Sequence, residues 1–168
     1  MALIRGPFTL TWGSNELQDI EEVELEHEVD SEDAQSIQGK TIELDGSFKA
    51  TAIITLLATD IPALAVVLPQ YFVAMGSELS TGEEVTDEDG AIDVVPRSCD
   101  EELVYNDLEI VACNDPADVL RIVNARTKIE GIEMDNKLRK VLVKFIGESA
   151  QDQATIQFYK TGGIGTVS

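Results

Sequence analysis

From Glu22 to Val29 the chain reads EVELEHEV, with glutamates at 22, 24, 26 and 28 and with Val23, Leu25, His27 and Val29 between them. Strict alternation of charged and apolar residues is the period of a β-strand with one face on a core and the other outside. Glutamate is a good helix former, but a helix would scatter these side chains around its surface and leave the alternation without a cause. Upstream, Ile20 and Glu21 are out of phase with the pattern. A bulge near Glu21 and Glu22 restores the phase.

The rest of the chain reads mostly as strands. FTLTW at 8–12 puts Phe8, Leu10 and Trp12 on one face, and Gly13, Ser14 and Asn15 then turn the chain. Residues 36–45 and 47–58 read as two strands, and Asp45-Gly46 between them is a tight-turn signal, so a hairpin is expected there. One helix is expected next: Asp60 as N-cap, Pro62 in the first turn, and an apolar stripe of Ile61, Leu64, Ala65, Leu68 and Phe72. Pro69 should kink or end it, with Gly76 as a last stop. Residues 77–100 are polar and acidic without a regular pattern and read as a long surface excursion. Strands follow at 103–113 and 119–132, with a turn at Asn114-Asp115-Pro116, and again at 138–146 and 154–160. The expected fold is mainly β: a β-sandwich or partly open barrel with one flanking α-helix, spanning 8–160 as a single domain. Residues 1–7 read as an N-terminal arm and 161–168 as a flexible C-terminal tail.

Charge and composition exclude several functions. The chain of 168 residues carries 12 Lys and Arg against 32 Asp and Glu, a formal charge of −20. Reading DNA or RNA needs cations to neutralise phosphates, and aromatics at 5% leave little for base stacking. One His and two Cys cannot supply the four N or S ligands of a structural zinc site. His27, the sole candidate base, sits at an apolar strand position and reads as a packing or interface residue. Asp87, Asp89 and Asp93 only loosely match a calcium loop, because the ligand before the glycine and the closing glutamate are misplaced. TGGIG at 161–165 opens no helix, so a phosphate loop is not expected. No enzyme, cofactor or metal is expected. Neither a secretion signal nor a membrane span is expected. Cys99 and Cys113 are left open between free and paired states.

Acid is concentrated around residues 19–33 and in the 77–100 excursion, and cations toward Lys128 to Lys144. An acidic strand and a basic C-terminal segment of one chain can meet across a subunit contact and set its register.

Two stretches, FTLTWGSNELQDIEEVELEHEV at 8–29 and AQSIQGKTIELDGSFKATAIITLLATDIPALAVVLPQYFVAM at 34–75, resemble the tail tube (major tail) proteins of tailed bacteriophages. The resemblance lies in the order of features: an arm, an acidic strand, a strand hairpin, a short helix after a long apolar strand, a long loop and C-terminal strands. It implies a β-sandwich with a flanking helix, assembled as hexameric rings that stack, with neighbouring sheets joined into a barrel around a channel. Related tubes occur in type VI secretion and contractile tailocins. The implied partners are other copies of the chain, a tape measure protein, the double-stranded DNA that passes at ejection and, in a contractile tail, a sheath protein. The implied location is the virion tail, after synthesis in the bacterial host cytoplasm.

On this reading Glu22, Glu24, Glu26 and Glu28, with Glu43 and Asp45, are candidates for a lumen face that repels phosphates. Screening confines such repulsion to roughly 8 Å from the wall at physiological salt. The alternative is an acidic DNA mimic that occupies a nucleic-acid-binding enzyme.

Overall fold

The computed structural model of the protein describes residues 7–17, 20–35, 41–57, 60–95, 103–134, 139–149 and 153–165, with 29–35 and 41–47 given by backbone alone. The alternating acidic segment is β3 (Ile20–Gln35), preceded by β1 (Phe8–Trp12) and β2 (Asn15–Glu16). Its antiparallel partner is β4 (Thr41–Leu56). Ile20 stands opposite Leu56 and Glu22 opposite Thr55, so β3 spends an extra residue there, the bulge its phase requires.

The hairpin expected at Asp45-Gly46 does not form. The two segments on either side of it belong to the single strand β4, whose partner is β3. Asp45 lies opposite Ser31 and Phe48 opposite Val29, so β4 advances three positions while β3 advances two. Asp-Gly suits irregular backbone, and in a long strand that irregularity is a bulge. The link between β3 and β4 falls at 36–40, outside the described residues.

Asp60 caps the helix α1 (Ile61–Val67): its carboxylate accepts from the Ala63 amide at 3.0 Å, with a proline in the first turn. Pro69 ends it. A single 3-10 turn, Pro69–Tyr71, leads into β5 (Phe72–Val73), so Phe72 leaves the helical stripe and Gly76 is a turn residue at φ +90°. The excursion that follows is more regular than its sequence suggests. β6 (Ala91–Ile92) pairs with β5, Glu78 bridges to Glu84, and Val85 is buried. Gly90 (φ +80°) lies so close to Phe72 and the Val73 carbonyl that a Cβ there would sit 2.6 Å from each.

β7 (Asn106–Ala112) turns at Cys113-Asn114 into β8 (Asp115–Met134), followed by β9 (Arg139–Ser149) and β10 (Ile156–Lys160). The expected turn at 114–116 is thus tighter, and Pro116 sits in the first residues of a strand, where a missing N–H is tolerated.

The strand order is β2-β1-β7-β8-β9-β4-β3, with β10 also on β8. β8 belongs to two layers. Its first part pairs with β7 and β10, and Arg126 to Met134 pair with β9. One layer is therefore β2, β1, β7, β8 and β10; the other is β3, β4, β9 and the end of β8. Their inner faces share a core that includes Leu10, Trp12, Ile54, Leu108, Ile122, Val143 and Phe145. The fold is mainly β: an open sandwich of unclosed sheets with one helix.

Candidate functional site

Antiparallel pairing places directly opposed residues on one face of a sheet, so the outer face of the β3–β4–β9–β8 layer can be read in rows. Glu24 stands beside Ile53, Lys144 and Lys128; Glu26 beside Thr51, Ile146 and Arg126; Glu28 beside Lys49 and Glu148. Glu22, Glu24, Glu26 and Glu28 are all exposed and form one column on β3. Of the sequence candidates, these four are brought together. Glu43 and Asp45 lie farther along the strand pair, past the bulge, opposite Asp33 and Ser31.

The face is not uniformly acidic. Lys49, Lys144, Arg126 and Lys128 share it, with Glu148, Glu130 and Glu133 among them, so an all-acidic column on β3 gives way to mixed charge on β9 and β8. Three ion pairs cross it: Lys140 to Glu21 at 3.0 Å, Arg126 to Glu148 at 3.7 Å and Lys144 to Glu130 at 3.8 Å. Each is solvent-accessible, and such pairs contribute about 0 to 1 kcal/mol. They orient the face more than they hold it together.

β3 pairs with β4 and, among the described residues, with nothing on its other side. Its length leaves a free edge of roughly 50 Å at the usual rise per residue. Carboxylates along it discourage indiscriminate pairing with other strands.

The opposite face of β3 departs from expectation. Val23 packs against the core, but Leu25 is 47% exposed and His27 is exposed, its ring centroid 5.7 Å from that of Phe48. The two layers part here, leaving an apolar cavity of about 490 Å³ lined by Phe8, Val23, Leu25, Leu120 and Phe158. Phe158 is 80% exposed at its mouth.

A second cluster lies on the outer face of the other layer. Arg121 on β8 donates to Glu109 on β7 at 3.2 Å, to the Tyr159 hydroxyl on β10 at 2.8 Å and to Gln157 at 3.2 Å. Its guanidinium also lies 4.6 Å from the Tyr159 ring centroid. Burial and the hydrogen-bonded Glu109 carboxylate push the Tyr159 phenol above its ordinary range. The cluster fastens β10 to β8 and β7. Its signal in the sequence was slight: Glu109, Arg121 and Tyr159 each sit in an alternating strand, and only the register brings them together.

The acidic excursion contains local hydrogen bonds. Asp87 accepts from the Asp89 amide at 2.9 Å and Asp93 from the Ser80 amide at 2.7 Å. Among the described residues no group of three or more His, Cys, Asp or Glu is placed to hold a metal ion. No helix there is long and apolar enough to cross a membrane. Cys113 is exposed at the β7–β8 turn; Cys99 lies outside the described residues.

The sequence matches no protein-family model, and no curated protein matches it significantly. Solved structures resemble it to different degrees. A sheath/tube terminator of an extracellular contractile injection system (PVC), in the extended state, superposes with a TM-score of 0.51 at 10% identity, over 94% of this chain and 97% of that one. The tube-terminating cap of the anti-feeding prophage (AFP) gives a TM-score of 0.49 at 9% identity, over 89% and 95% of the two chains.

Proposed function

We propose that this chain is a structural subunit of a phage-tail-like injection assembly. In this reading it forms hexameric rings that stack into a hollow tube or close one end of it. The observation that carries the reading is the fold, similar over 94% of the chain to a sheath/tube terminator. The free β3 edge supports it, because closing sheets across subunits removes exposed edges. So does the absence of a sequence pattern for catalysis.

The outer face of the β3–β4–β9–β8 layer would line the channel. Glu22, Glu24, Glu26 and Glu28 would form a stripe that keeps phosphates from adhering as viral DNA passes, and Glu43 and Asp45 are proposed with them. The cations on the same face make this a stripe rather than a uniform wall. Other copies of the chain, a tape measure protein and a sheath are the proposed partners, in the tail of a virion or a virion-like particle. The alternative of an acidic DNA mimic is weakened by those cations, since a mimic gains nothing from lysines set among its carboxylates.

Sedimentation velocity on the purified full chain over a concentration series tests the proposal. A discrete ring-sized species that grows with concentration is expected. A monomer at every concentration that displaces DNA from a nucleic-acid-binding enzyme would support the mimic instead.

A further inference from the structure

We infer that Lys128, with Arg126, receives the Glu24, Glu26 and Glu28 column of a second copy of this chain, so that β3 of one subunit lies along the end of β8 in the next. The inference rests on the ring-forming reading above and names the contact that would build the ring.

The strand pairing, the strand directions and the placement of charge carry it. The β3–β4–β9–β8 layer has two sides without a strand partner among the described residues: β3 pairs only with β4, and Arg126 to Met134 of β8 pair only with β9. Each successive pair is antiparallel, so β3 and β8 run in opposite directions. A copy placed in the same orientation therefore presents its β3 antiparallel to this β8.

On this face β3 carries only carboxylates from Glu22 to Glu28, whereas β8 presents Arg126 and Lys128 together, ahead of Glu130 and Glu133. The decisive detail is Lys128, which stands directly opposite Lys144 across the β8–β9 pair. Like charges at directly opposed positions repel. Lys144 has Glu130 at 3.8 Å, whereas Lys128 has no ion pair among the described residues. A chain with only 12 cations against 32 acids has thus set two of them side by side on an open face. An anion supplied from outside the subunit relieves that repulsion, and the β3 column of a second copy supplies it at the spacing of a strand.

The backbone at this edge divides in the same way. The Ala125 carbonyl is taken by Trp12 at 3.0 Å, and the Thr127 carbonyl by the Gln70 amide at 2.8 Å. At the level of Arg126 and Lys128, therefore, the docking is done by side chains. Farther along, Ile132 and Met134 are 58% and 76% exposed on the face opposite the lysines. The contact joins two different surfaces, and such heterologous contacts close into rings or continue as helices.

The test uses two full-length variants that are each expected to fail alone. One carries Glu24→Lys, Glu26→Lys and Glu28→Lys; the other carries Arg126→Glu and Lys128→Glu. Circular dichroism and thermal melting first verify that both are folded. By sedimentation and electron microscopy, each alone should need at least tenfold more protein than the natural chain to assemble. An equimolar mixture should assemble near the natural concentration, because each reversed side then meets its complement. Assembly of either variant alone at the natural concentration would overturn the contact while leaving the ring reading intact. Folded variants that fail even when mixed would overturn it as well. A natural chain that never assembles would overturn both.

Discussion

The indole Nε1 of Trp12 donates to the Ala125 carbonyl at 3.0 Å, in the core and at the point where β8 passes from one layer to the other. The same ring meets Phe145 of the second layer edge-on, with centroids 5.8 Å apart. One side chain thus joins β1 to both layers. Trp12→Phe keeps an aromatic ring but leaves the carbonyl without its donor, a loss of about 1–3 kcal/mol. Trp12→Ala adds a cavity and should cost about 3–5 kcal/mol. Denaturant unfolding of the two variants checks the order.

Gly147 is buried on β9, close against Ile122 and Val123 of β8. A Cβ there would stand 2.6 Å from Ile122 Cγ2 and 3.1 Å from the Val123 carbonyl. Gly147→Ala should therefore destabilise by overpacking, about 1–3 kcal/mol. Ile122→Ala should cost less in that background than in the natural chain, a coupling that a double-mutant cycle on thermal unfolding reads directly.

The Arg121, Glu109 and Tyr159 cluster gives a pH signature. Burial and the Glu109 carboxylate raise the Tyr159 phenol above its ordinary 10.0. The fold therefore holds the protonated form. That contribution is complete below the unfolded value and is lost as pH rises through the folded one. Ultraviolet titration should show a late-ionising phenol that Tyr159→Phe removes. The variant should also lose less stability than the natural chain between neutral pH and the alkaline limit.

Much of this fold was legible because alternation is a local signal. The β3 strand, its bulge at Glu21, the Asp60 cap and the stop at Pro69 each depend on a few adjacent residues. What failed depended on distant ones. Asp45-Gly46 marks irregular backbone, and only the length of β3 determines that a bulge, not a turn, results. The candidate face was half legible. The glutamate column could be read from one strand, but the lysines beside it come from β4, β8 and β9, and pairing register alone places them in the same rows. The exposure of Leu25 was hidden too, because alternation identifies a face but not whether a second layer reaches it.

Glu22 tests the channel assignment without touching the proposed subunit contact, since its row holds Thr55, Leu142 and Gly131 and no cation. Glu22→Lys should leave assembly unchanged and make assembled particles retain DNA in a salt-dependent way. A filter-binding assay over a salt series measures this. Unchanged DNA retention in assembled particles would place the glutamate column on the outer surface.

Electron microscopy of the purified full chain, at concentrations spanning the onset of assembly, tests the central claim most directly. The account predicts hollow rings of six subunits, stacking into tubes as concentration rises. Small monodisperse particles at every concentration, with no ring in any field, would contradict it.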